Sequence, residues 1–232
     1  MKASITILVD NRTKLNNIRT EWGLSIHINT ADFNILFDTG PSWKSLYENA
    51  QNLGIDLSEI DFIVISHWHR DHSGALSNLI NFLESKGKEF KVIVPPTSFS
   101  YPWMIEARTP FTFSDNILTT GTLPEIIPEQ SLILRSRQGP MVLVGCSHPG
   151  LDRILERVCS ITGSKNIFAV IGGYHIGLAE ARFVKEIFEK FNVSMVGPCH
   201  CTSDDAIEFL KKAFGNRFIE IYTGKRLDIE LA

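Results

Sequence analysis

The stretch "ISHWHRDHSGAL", Ile65 to Leu76, sets three histidines and an aspartate within six residues, directly after an apolar run. His67 and His69 stand two apart, so on a turn leaving a rigid strand their imidazoles can point the same way and grip one cation. Asp71 and His72 follow on the same turn and can face a second cation beside the first. Neutral imidazole with carboxylate is the donor set that zinc favours, and iron and manganese accept it too. A metal needs three or four ligands, so the local cluster is incomplete. Three further histidines each follow an apolar run: His148 in "PMVLVGCSHPG", His175 in "NIFAVIGGYHIG" and His200 in "VSMVGPCHCT". Loops at one edge of a sheet converge, which lets these histidines supply the deficit. His27, inside "LSIHINT", reads instead as a packed or edge-strand residue. Cys146, Cys199 and Cys201 flank the proposed ligands, either as thiolates for a metal or as small apolar residues under a loop.

These side chains need rigid elements behind them. "ASITILVD" and "GLSIHINTADFNILFDTG" read as strands, the second stretch as a pair ending in a loop at Asp38. "SWKSLYENAQNLG" has helical spacing and stops at Gly54. "IDFIVISH" is the pattern of a strand buried on both faces; "SGALSNLINFLESKGK" reads as a helix and "FKVIVPP" as a strand. From Thr97 to about Gln130 no steady period appears. Its clustered Phe99, Tyr101, Trp103, Phe111 and Phe113 suit an ordered lid or pocket wall, or plain packing onto the domain. The second half repeats strand, loop and helix three times and ends in the strand "FIEIYTGKRLDI". Strand-rich halves flanked by helices predict a sheet-on-sheet core with helices outside, and the length suits one large domain or two small ones.

Composition narrows the function classes. The chain has 232 residues, 44% hydrophobic and 21% charged, with a formal net charge of −3. That balance offers no general attraction to nucleic acid or to an anionic membrane. No stretch reaches the apolar length of a bilayer span, and the N-terminal run is too short and mixed for a signal peptide. A cytoplasmic location and reduced cysteines are the expectation. The expected partner is a small molecule, not a nucleic acid or a membrane, and the oligomeric state is not legible.

"SHWHRDHSGAL" resembles the HxHxDH signature of the metallo-β-lactamase superfamily, and "ILFDTG", "GCSHPG", "IGGYH" and "PCHC" fall in the order of that superfamily's other motifs. The resemblance implies an α/β fold, the αββα sandwich of two mixed sheets packed face to face with helices outside, in a single domain over 1–232 with a lid-like segment at about 97–130. It also implies two divalent ions, zinc first, with iron or manganese as substitutes. His67, His69 and His148 would hold one ion; Asp71, His72 and His200 would hold the other. Asp38 would orient the motif loop through hydrogen bonds. His175 stands where most binuclear members carry a metal-bridging aspartate, so it would bind one metal or a substrate phosphate. "ITILVDN", "EWGLSIHI" and the "GGxH" histidine together resemble the dihydropterin synthase-like branch, with Trp22 where that branch has histidine. The implied activity is hydrolysis of a phosphate-containing or ester substrate by a metal-bound hydroxide, with Asp71 and His175 as catalytic groups. The alternative is transfer of a dihydropterin-methyl group to ribofuranosylaminobenzene phosphate with loss of pyrophosphate. An iron-dependent oxidoreductase is a further reading, but flavodiiron relatives carry an acidic residue within the first ligand pair and an attached flavin domain. Arg70 and Arg108 are phosphate candidates or solvated surface charges.

Overall fold

Short runs rich in valine and isoleucine become strands, and runs with apolar residues at helical spacing become helices. A computed structural model describes all 232 residues. In chain order the elements are β1 (Lys2–Val9), β2 (Ser25–Asn29), β3 (Asn34–Phe37), α1 (Trp43–Asn52), β4 (Phe62–Val64), α2 (Arg70–Ser73), α3 (Leu76–Ser85), β5 (Lys91–Val94) and β6 (Met104–Glu106). There follow β7 (Thr112–Ser114), β8 (Ile117–Thr119), β9 (Leu132–Ser136), β10 (Gly139–Val144), α4 (Leu151–Thr162), β11 (Ala169–Gly173), α5 (Leu178–Lys190), β12 (Met195–Cys199), α6 (Asp204–Phe214) and β13 (Arg226–Glu230). The residues group into two compact units: Met1–Arg108 with Tyr222–Glu230, and Thr109–Ile221 with Leu231–Ala232.

The first unit holds a mixed seven-stranded sheet, in the order β13-β1-β2-β3-β4-β5-β6. Strands β3 to β6 run parallel and the others antiparallel. One face of this sheet meets α1 and α3, where Leu36, Ile63, Val92 and Val94 pack with Leu46, Leu79 and Leu83. Neighbouring strand residues that point the other way, such as Ile35 and Phe37, are also fully buried. That double burial explains why these strands lack polar alternation. Helix α1 begins at Ser42, whose Oγ accepts the Ser45 N–H at 3.3 Å, a side-chain N-cap.

The second unit holds a mixed six-stranded sheet, in the order β12-β11-β10-β9-β8-β7. Here β10, β11 and β12 are parallel. Helices α4, α5 and α6 pack through Ile154, Val158, Val184, Phe188, Leu210 and Phe214 with Val142, Val170 and Val196. Helix α6 opens at Ser203, with Asp204 and Asp205 in its first turn and Lys211 and Lys212 in its last. Those charges complement the helix dipole. The segment from Thr97 to Gln130, aperiodic in sequence, contains the three-residue strands β6, β7 and β8. No helix is long and apolar enough to cross a membrane, and all four cysteines are free thiols.

His27 lies on β2 at 7% exposure, its Nε2 3.1 Å from Asn34 Oδ1. Burial lowers its pKa from 6.5 to about 4, against the raising effect of the Asn34 bond and with a small lowering by Arg226. The folded protein therefore keeps this imidazole neutral where the unfolded chain protonates it. Stability is unaffected above about pH 6.5 and falls as pH drops toward 4, by roughly 3 kcal/mol in all. Replacing His27 with glutamine should flatten that acid slope, read as the change in urea midpoint between neutral and mildly acid buffer. An unchanged slope would remove His27 as its source.

Candidate metal centre

The motif loop of the first unit leaves β4 and is held by residues 22–24 and 39–41 before α3 begins. Thr39 N donates to His72 O at 2.7 Å and Ala75 N donates to Gly40 O at 3.2 Å. This approach is so close that a Cβ at Gly74 would stand 2.2 Å from Pro41 O, so only glycine fits there. Leu24 N donates to Asp71 O at 3.2 Å, and the Trp22 indole donates to Asp71 Oδ2 at 3.1 Å.

Asp38 anchors the chemistry. It is fully buried, with φ of 59°, a left-handed conformation that costs energy in a non-glycine residue. Its Oδ1 accepts Ser66 N at 2.7 Å, and its Oδ2 accepts Ser66 Oγ and His72 Nδ1, each at 2.7 Å. These bonds fix protons in sequence. Ser66 gives its one hydroxyl proton to Asp38, so His67 Nδ1, 2.9 Å from Ser66 Oγ, must be the donor there. His67 then presents Nε2 as its basic nitrogen, 3.1 Å from His69 Nδ1. Two nitrogens on one tetrahedral zinc, each about 2.0–2.1 Å from it, stand about 3.3 Å apart. The pair therefore fits a shared cation. His72, with Nδ1 committed to Asp38, turns Nε2 toward Asp71 Oδ2 at 3.8 Å, which fits a nitrogen and oxygen donor to another cation. The structure brings His67, His69, Asp71, His72 and Asp38 together in this unit.

In the second unit the loops after β10, β11 and β12 carry His148, His175 and His200. The β10 loop is organised by Glu129, a residue with no signal in the sequence reading. Glu129 is 1% exposed. Its Oε1 accepts the N–H groups of Gly145, Cys146 and Ser147, each at 3.0 Å, and its Oε2 accepts His148 N at 2.9 Å. Ser147 Oγ in turn donates to Gly173 O at 2.8 Å, tying the β10 loop to the end of β11. Tyr174 pins the next loop: its hydroxyl donates to Val170 O at 2.7 Å and accepts Gly197 N at 3.2 Å, and its own N–H reaches Thr202 Oγ1 at 3.1 Å. Burial holds the Tyr174 phenol well above its ordinary pKa.

Ser147, His175 and His200 all have left-handed backbones, with φ of 60°, 53° and 50°. Such non-glycine residues cluster where function demands a side chain despite strain. His148 and His175 face each other with ring centroids 4.8 Å apart. The donor atoms of Cys146, His175 and Cys201 lie within 4.8 Å of one another. The Cys146 hydrogen bond lowers the Cys201 thiol most; burial opposes it, and a His175 hydrogen bond with the charges of His200 and His175 brings it to about 5. Arg70 and Arg108 are exposed, and Arg108 pairs with Glu106 at 2.7 Å.

Beside the motif, the first unit has a cavity of about 500 Å³ lined by Trp68, Leu76, Phe99, Tyr101, Trp103 and Met104. Tyr101 and Trp103 stack at 4.7 Å with their planes 3° apart. Of the clustered aromatics, Phe99, Tyr101 and Trp103 line this cavity.

Residues 23–133 match the model of the metallo-beta-lactamase superfamily. The chain is 24% identical over 246 residues to the 7,8-dihydropterin-6-methyl-4-(beta-D-ribofuranosyl)-aminobenzene-5'-phosphate synthase of Methanocaldococcus jannaschii, covering 82% of this chain and 83% of that protein. An uncharacterized protein of the same organism is 25% identical, covering 97% of this chain and all of its own. Among solved structures, Tm1679, a metal-dependent hydrolase of the beta-lactamase superfamily, superposes with a TM-score of 0.76 at 25% identity, covering 97% of this chain and 98% of that one. The two mixed sheets with their helices are the fold that the chain shares with Tm1679.

Proposed function

From a chain that carries a metallo-β-lactamase superfamily domain and is homologous to the archaeal synthase, we propose a metal-dependent hydrolase of a small phosphate-containing or ester substrate. His67, His69 and His148 hold one divalent ion, and Asp71, His72 and His200 hold a second, zinc being the best match to these donors. The observation that carries this reading is the 3.1 Å approach of His67 Nε2 to His69 Nδ1 on a loop whose tautomers Asp38 sets. When bound, the ions act as Lewis acids and activate water for attack at neutral pH.

The chain's own groups do the rest. Asp71, held by Trp22, orients the nucleophile or takes its proton. His175 meets negative charge developing on the substrate. The N-terminal turns of α4 and α6 offer backbone N–H groups to an anionic substrate. Trp68, Tyr101 and Trp103 supply flat apolar surface for its organic part.

A second reading, group transfer to a ribofuranosylaminobenzene phosphate with loss of pyrophosphate, is favoured by the homologous synthase and by the stacked aromatic pair. Metal analysis joined to a screen of phosphomonoesters, phosphodiesters, lactones and pterin pyrophosphates separates the two. Zinc-dependent turnover of a simple ester without a pterin supports hydrolysis; turnover only with pterin pyrophosphate and an aminobenzene acceptor supports transfer. Metal-free protein that turns over substrate at the full rate would refute both. Replacing His67 with alanine should lower turnover by about 100-fold or more, since loss of a ligand exceeds the 10–100-fold typical of an outer partner.

A further inference from the structure

Three neighbouring parallel strands of the second unit end at one edge, and each delivers a potential soft-metal donor at the same offset. Strand β10 ends at Val144 and Cys146 follows by two; β11 ends at Gly173 and His175 follows by two; β12 ends at Cys199 and Cys201 follows by two. The donor atoms of these three residues all lie within 4.8 Å of one another. The strands' register fixes that convergence, with Val144 opposite Gly172 and Gly173 opposite Cys199. Gly173 makes room for it: a Cβ there would stand 2.5 Å from Cys201 Sγ. Loops beyond the carboxyl ends of parallel strands are where such folds place ligands.

We propose that Cys146 Sγ, Cys201 Sγ and a ring nitrogen of His175 form a binding site for a thiophilic divalent cation of the zinc class. Two sulfurs on a tetrahedral zinc stand about 3.8 Å apart, with Zn–S near 2.3 Å, so closure from the present spacing is small. Cys146 is buried and His175 is exposed, which gives the site a sulfur floor and an open fourth position toward solvent. Three protein donors with one open position is the pattern of a reactive zinc site rather than a closed structural one. Binding releases the protons of both thiols. His175 holds a left-handed backbone there, a strained conformation of the kind that clusters at functional positions. All three donors lie in one unit.

Cobalt substitution tests it on the full chain. Cobalt bound to thiolate shows an intense near-ultraviolet sulfur-to-metal band, whereas histidine and carboxylate ligands give only weak visible bands. The wild type should show the sulfur band, and the double variant C146S/C201S should lose it while keeping the weak visible bands. Absence of a sulfur band in cobalt-saturated wild type, or its persistence in the double variant, overturns the assignment. Loss of the visible bands together with the sulfur band in the double variant would strike the binuclear reading instead. Because the double variant can misfold, wild-type alkylation gives a second measure. Zinc should slow modification of Cys201 by about tenfold or more, because binding occupies the thiolate. An unchanged rate in zinc-saturated protein likewise overturns it.

Discussion

Replacing Glu129 with alanine is expected to cost about 4 kcal/mol or more, because three buried N–H donors and a part-buried one lose their common acceptor at once. The donors are consecutive, Gly145 through His148, so the damage falls on one loop rather than being spread through the unit. That loop carries His148 and Cys146, and its Ser147 hydroxyl holds the end of β11. Urea denaturation at neutral pH reads the stability loss. Glu129→Gln separates shape from charge: it fills the same volume but turns an amide N–H₂ toward at least one of those N–H groups. It should therefore recover only part of the lost stability, and zinc affinity should stay lowered. Full stability in Glu129→Ala would mean that the loop is held by something other than this carboxylate.

Asp38→Ala should be the other severe change, with two separable readouts. Three buried donors lose their acceptor, a loss of roughly 3–5 kcal/mol on the scale of a broken buried polar network. The proton order also collapses. Without Asp38, Ser66 Oγ can donate to His67 Nδ1, which moves the His67 proton to Nε2, the nitrogen facing His69. His72 likewise loses the bond that keeps its proton on Nδ1. Zinc affinity should fall about 10–100-fold, the usual effect of removing an outer hydrogen-bond partner of a metal ligand. Asp38→Asn keeps the volume, and its amide N–H₂ can satisfy only part of the donor set. If Asp38→Asn bound zinc like the wild type, the tautomer argument would fail even though the fold survived.

Much of this arrangement was legible before any coordinates. The HxHxDH spacing, the apolar strand before it and the three later histidines each sit where periodicity placed them, because strands buried on both faces and amphipathic helices write simple patterns. Asp38 was legible only through resemblance. Glu129 was not legible at all: its partners lie 16 to 19 residues further on, and a single acid before an apolar strand has no periodic signature. Strands β6, β7 and β8 escaped for a different reason, being three residues each, too short for alternation to register. The pairing of β13 with β1 joins residues more than two hundred positions apart, a contact that local pattern cannot specify. Trp22 was visible as a departure from the branch that the sequence resembles, and the structure supplies its partner: the indole N–H meets the carboxylate of Asp71.

The most direct test of the metal centre is zinc binding, measured by equilibrium dialysis with elemental analysis, on wild type and on His67→Ala/His69→Ala. The expected result is that the double variant, folded by circular dichroism, binds at least one zinc fewer, or binds it more than about 100-fold more weakly. Zinc bound by the variant with wild-type stoichiometry and affinity would contradict the placement of the metal centre on this loop.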